Sequence, residues 1–143
     1  VVDSVSMAER LEIPPPAVLI AQTTFGGQEF RRIAESLKTR IRGLVVENTL
    51  CPATEARERA AVNLAARVQA IVVVGGKNSA NTRGLFETVK ATGLPCVHVE
   101  NAGQIPEDFR AYHTMGVTAG ASPPDWIIDE VERSFLEGGR NGT

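Results

Sequence analysis

The sequence predicts an α/β fold in which helices layer around parallel sheet. Three observations carry this. Short runs of β-branched and apolar residues, such as Ala70–Val74, recur along the 143 residues. The segments between them place apolar residues at helical spacing. Strand-like and helix-like segments alternate, which is the order that crossover connections between parallel strands require.

Pro14-Pro15-Pro16 is a breaker, and Val18 to Gln22 after it reads as a buried strand. Phe25 to Leu37 predicts a helix, because Phe30, Ile33, Ala34 and Leu37 fall on one stripe. Leu44 to Asn48 is a second strand. Ala53 to Val68, rich in Ala, Glu and Arg, predicts a helix whose charged start, Glu55 to Arg59, reads as a solvated face. Ala70 to Val74 is the clearest strand. Thr82 to Ala91 predicts a helix stopped by Thr92-Gly93-Leu94-Pro95, and Cys96 to Val99 a short strand. A short helix is expected within Ile105 to Tyr112, a strand at Thr114 to Thr118 and a last helix at Pro123 to Leu136.

Composition excludes several classes. Acids and bases are mixed and the formal net charge is −2, so neither bulk nucleic-acid binding nor membrane-surface binding is expected of this chain. No apolar run approaches the roughly 20 residues of a membrane helix. The N-terminus lacks the order of a signal peptide. Two cysteines, Cys51 and Cys96, make neither a disulfide framework nor a closed zinc site, and a reducing cytoplasmic setting is expected. The chain begins with Val1, which points to a processed product or a piece of a longer chain.

Parallel sheets bind ligands beyond the carboxyl ends of their strands. Three such ends here are small and polar: Gln22-Thr23-Thr24, Gly75 to Thr82, and Ala119-Gly120-Ala121-Ser122. Gly75 to Thr82 lacks the Walker spacing. Its glycines admit a ligand to the backbone, Ser79 and Asn81 are donors, and the helix start after them favours an anion such as a diphosphate. The plainer reading is a turn with Ser79 or Asn81 as N-cap. Ser122-Pro123-Pro124-Asp125 reads as an N-cap, N1 and acidic first turn, or as a second helix start aimed at the same anion. Thr23 and Thr24 read most simply as satisfying local backbone. Cys51 precedes Pro52 and a helix, a place that favours thiolate, and the alternative is a small buried residue. Cys96 reads as core, and His98 and His113 as structural.

Gln22-Thr23-Thr24, Cys51-Pro-Ala-Thr-Glu-Ala-Arg, Val74-Gly-Gly-Lys-Asn-Ser-Ala-Asn-Thr and Gly116-Val-Thr-Ala-Gly-Ala-Ser-Pro-Pro-Asp-Trp occur in this order. Together they resemble the carboxyl-terminal half of the 4-hydroxy-3-methylbut-2-enyl diphosphate reductases, the LytB/IspH family, over nearly the whole chain. The resemblance implies parallel-sheet layered α/β lobes, about one and a half of a three-lobe reductase. Residues 1–47 would be the remainder of the middle lobe, 48–137 the third lobe and 138–143 a flexible tail. It implies an iron–sulfur enzyme of the non-mevalonate route to isoprenoids, with a 4Fe–4S cluster and an electron donor such as ferredoxin or flavodoxin. Cys51 would be the third of three cysteine ligands. Ser79, Ala80, Asn81 and Ser122 would hold the substrate diphosphate, and Thr23 would be catalytic, beside the reacting hydroxyl and its proton path. Ala80 replaces a serine common in the family, and Pro52 a tyrosine. The other two cysteines, the family's histidines and its catalytic glutamate belong to an amino-terminal half that these residues do not include, so the chain by itself is expected to be inactive. A diphosphate-binding module without redox chemistry is the alternative.

Overall fold

The computed structural model describes residues 1–138. They form two compact units, Val1–Glu55 and a second that starts at Ala56. The break therefore lies inside the helix after Cys51, beyond the expected 47/48 boundary. Hydrogen bonds explain it. Thr49 and Cys51 bond back to Ala21 and Thr23, which keeps this stretch with the first unit.

The first unit holds α1 (Val5–Arg10), β1 (Val18–Ile20), α2 (Gly27–Arg40) and β2 (Val45–Glu47). β1 and β2 pair in parallel, with Leu19 opposite Val46. The predicted stripe of α2 is buried as expected, at Phe30, Ile33, Ala34 and Leu37. Ile33, Leu37 and Ile41 pack with Ala8 of α1 and with Leu19. α1 was not expected, because six residues carry too little periodicity to announce a helix. Ser4 starts it, accepting from the Met7 N–H at 3.4 Å. β1 is not the buried strand that its composition predicts. Val18 and Ile20 are 62% and 65% exposed. Alternate residues of a strand face opposite ways, and among the described residues of this unit the helices cover only the Leu19 side.

The helix that straddles the break is α3 (Pro52–Ala65); the rest of the second unit is β3 (Ala70–Val74), α4 (Ala80–Lys90), β4 (Cys96–Val99), two short 3-10 turns, β5 (Met115–Ala119) and α5 (Asp125–Gly138). The short helix expected within Ile105–Tyr112 is present as the 3-10 turn Glu107–Ala111, and a second 3-10 turn that was not expected, Ala102–Gln104, precedes it. Pro106 divides them, since it cannot donate to a continuing helix. Gly138 closes α5; the tail expected from there on otherwise lies outside the described residues.

The sheet order is β4-β3-β5, all parallel, with β3 central and every one of its residues buried. Its alternate residues serve two cores. Ile71 and Val73 meet Ala61 of α3 and Leu85 and Val89 of α4. Ala70, Val72 and Val74 meet Val99, Phe109 and Val131 of α5. Burying each Val or Ile of this strand contributes about 1.5–3 kcal/mol. α4 and α5 thus cover opposite faces of the sheet, yet they follow adjacent strands.

Candidate functional site

Where adjacent parallel strands send their helices to opposite faces, a crevice opens beyond their carboxyl ends. β3 and β5 do this, with Val74 opposite Ala119 at the last register position. The loops that leave there are the two that carry Ser79 with Asn81, and Ser122.

Ser79 is the N-cap of α4, and its Oγ accepts from the Thr82 N–H at 3.3 Å. Capping and ligand binding are compatible here, because a hydroxyl that accepts one bond still has its own proton to donate. Ala80 and Asn81 are the first two helical residues, so their N–H groups are among those no intrahelical carbonyl reaches. Asn81 is half-buried and Ala80 exposed. Ser122 is exposed at a bend, and α5 begins only at Asp125. It is therefore not the N-cap that the Ser-Pro-Pro-Asp pattern predicts. Two consecutive prolines disfavour helical backbone for the residues before them, which pushes the start downstream.

The glycines have a reason that the sequence did not reveal. Thr82 is fully buried, and its Oγ1 makes no hydrogen bond among the described residues. It lies against the Cα positions that begin both loops. A Cβ on Gly75 would stand 2.5 Å from Thr82 Oγ1, and one on Gly120 would also strike that oxygen. Gly75 also has φ +151°, which side chains resist. The Gly120 N–H donates to Val74 O at 3.0 Å, tying the start of the second loop to the strand beneath the first.

In the first unit, Thr23 and Cys51 are neighbours. The Cys51 N–H donates to Thr23 O at 2.8 Å. Cys51 O accepts from the N–H groups of Thr54 and Glu55, at 2.9 and 3.2 Å, so Cys51 heads α3. Cys51 is half-buried and Thr23 exposed. Thr49 bonds the backbone at this strand end: its Oγ1 donates to Ala21 O at 2.6 Å and accepts from the Ala21 N–H at 2.9 Å. Cys96 packs against the α3–α4 core, and burial pushes its thiol above the ordinary range, against a smaller lowering effect of Lys90. His98 is structural as expected, with Nε2 donating to Gly75 O at 2.8 Å. Glu58 departs from expectation. It is buried, not part of a solvated face, and α4 comes close enough that a Cβ on Gly84 would lie 4.0 Å from Glu58 Oε1.

A thiol heading a helix suits a thiolate ligand, because the helix start stabilises its charge. Cys51 fits an iron–sulfur cluster in that respect, and a cubane needs further ligands besides one thiolate. Among the described residues no group of three His, Cys, Asp or Glu is placed to hold a metal. No helix among them is long and apolar enough to cross a membrane.

Fold and site define a parallel α/β protein with helix-start loops at the sheet crevice and a cysteine heading a separate helix. The chain belongs to the LytB protein family, whose model matches residues 1–136. A relative from Treponema denticola, named 4-hydroxy-3-methylbut-2-enyl diphosphate reductase, is 49% identical over 134 residues, covering 94% of this chain and 46% of the relative. One of the same name from Solidesulfovibrio magneticus is 46% identical over 129 residues, covering 87% of this chain and 45% of the relative. The chain thus spans under half the length of these curated relatives. A solved structure of (E)-4-hydroxy-3-methyl-but-2-enyl diphosphate reductase matches with TM-score 0.58 and 35% identity, over 84% of this chain and 43% of that one. The Plasmodium falciparum reductase matches with TM-score 0.82 over 95% of this chain and 43% of that one; at 20% identity this likeness shows the fold alone.

Proposed function

We propose that these residues supply the diphosphate-holding part and one cluster thiolate of a 4-hydroxy-3-methylbut-2-enyl diphosphate reductase. The observation that carries this is the crevice at β3 and β5, where the Ser79-headed helix start and the Ser122 loop leave adjacent strand ends. Ser79, Asn81 and Ser122 would donate to the diphosphate. The N–H groups of Ala80 and Asn81 and the helix dipole would add neutral donors and partial positive charge, which hold a highly charged anion without bulky cations. Ala80 contributes its backbone only.

Loss of the allylic hydroxyl takes two electrons and two protons and releases water. A 4Fe–4S cluster, bound through Cys51 and ligands from the rest of the polypeptide, would supply the electrons and a Lewis-acidic iron. Thr23, whose carbonyl is tied to the Cys51 amide, would orient the hydroxyl and pass a proton to it. Ferredoxin or flavodoxin is the proposed electron donor and the cytoplasm the proposed setting.

The test is anaerobic purification of the full polypeptide that carries these residues, followed by absorption and spin-resonance spectroscopy. A cubane signal that Cys51→Ser abolishes is expected, and an iron-free product after reconstitution would refute the reductase reading. The second unit contains Ser79, Asn81 and Ser122 without Cys51, and this favours one rival, a binding module without redox chemistry. Tight pyrophosphate binding by an iron-free polypeptide would support that rival.

A further inference from the structure

The loop that carries Ser79 is fixed from β4. Glycine at 75 and 76 gives the chain close approach to a ligand but leaves nothing in its own side chains to set its direction. Three of its backbone groups end on β4 and the residue after it. The Gly75 N–H donates to Val99 O at 2.9 Å, and Gly75 O accepts from His98 Nε2 at 2.8 Å. The Lys77 N–H donates to Glu100 Oε1 at 2.9 Å. Glu100 is itself placed, since its N–H donates to Gln104 Oε1 at 2.9 Å.

A carboxylate beside an anion-binding loop repels the anion. Its presence needs an offsetting contribution, and the bond to Lys77 N–H is one. That bond closes the exposed part of the loop, Lys77 and Asn78, on a charged acceptor, the stronger kind of hydrogen bond. The next bonds follow in sequence: the Ser79 N–H donates to Gly76 O at 3.0 Å, and Ser79 Oγ caps Thr82.

We propose that Glu100 is a positioning residue for diphosphate binding: by taking the Lys77 N–H it holds residues 75–79 so that the Ser79 hydroxyl and the first amides of α4 point at one site. This rests on the reading of that loop as the diphosphate cradle. The bond to Lys77 is also the largest cause of a lowered Glu100 pKa.

The experiment measures inorganic pyrophosphate binding by calorimetry to the full polypeptide and to its Glu100→Ala, Glu100→Gln and Ser79→Ala variants. Glu100→Ala is expected to weaken binding about 10-fold, the scale of one charge-assisted hydrogen bond. Glu100→Gln keeps an acceptor oxygen and is expected to stay within about threefold of the parent, a rescue that a role through charge alone would not give. In turnover, Glu100→Ala should raise KM and leave kcat nearly unchanged, the signature of lost ground-state and transition-state binding alike. Amide exchange at Lys77 should quicken in Glu100→Ala. If Glu100→Ala binds like the parent while Ser79→Ala is weakened, Glu100 has no positioning role and the cradle stands. If Glu100→Gln is as weak as Glu100→Ala, the bond is not what matters and the assignment falls. If the parent itself binds no pyrophosphate, the cradle falls and Glu100 with it.

Discussion

The contact of Thr82 with Gly75 and Gly120 can be tested as a steric lock. Gly120→Ala places a methyl group against Thr82 Oγ1 and 3.2 Å from Thr82 Cβ. Thr82 is fully buried on the first turn of α4, so it has no room to swing away. Overpacking of this kind costs about 1–3 kcal/mol. Thr82→Ala removes both the oxygen and the Cγ2 methyl. It loses a small buried apolar area but also relieves a hydroxyl without a partner, itself a cost of about 1–3 kcal/mol, so its own effect should be small. Combined, Gly120→Ala/Thr82→Ala should regain most of what Gly120→Ala loses, a coupling of at least about 1 kcal/mol. Gly75→Ala makes the control. There a methyl meets Thr82 Oγ1 at 2.5 Å and Cγ2 at 2.8 Å, but φ +151° adds backbone strain of about 1–3 kcal/mol that Thr82→Ala cannot relieve. Urea unfolding followed by circular dichroism measures the parent, these variants and Gly75→Ala/Thr82→Ala. Additive losses for Gly120 and Thr82, within about 0.5 kcal/mol, would refute the lock.

Ser79→Ala removes both a cap and a donor, so it should cost about 1 kcal/mol of stability as well as pyrophosphate affinity, whereas Asn81→Ala should cost affinity, by about 1–3 kcal/mol, with little change in the urea midpoint. Glu100 has a folded pKa below its ordinary 4.5, first through the Lys77 N–H bond and then through Gln104, Lys77 and His98, against a raising effect of desolvation. Its contribution is therefore full above about pH 4.5 and is lost as pH falls through the lowered folded value. Acid unfolding of Glu100→Gln should lack that component, and coincident acid transitions for parent and variant would contradict it. Burial raises the Cys96 thiol pKa, so Cys96 should react slowly with iodoacetamide at pH 8, and peptide mapping that finds it rapidly alkylated would contradict its place in the core.

Most of the element pattern was legible because it depends on local periodicity. Ala70–Val74 and Cys96–Val99 appear with the bounds their composition predicts, and the α2 stripe buries the residues that its spacing selects. The strand ends were legible as unusual, since glycine, serine and asparagine stand out against apolar runs. One error fell at prolines: Ser122 does not cap α5, because Pro123-Pro124 moves the helix start to Asp125.

The sequence by itself determined the α/β class, the strand and helix order, and the motifs by which the chain joins its family, because each depends on residues close together along the chain. Tertiary structure alone decided that Val18 and Ile20 lie open, that Glu58 is buried, and that Thr82 and Glu100 shape the crevice loops. A threonine in a first helical turn or a glutamate after a strand has no distinctive local pattern. Its role is set by which strand ends the parallel register brings beside it, and that register is a property of the packed sheet.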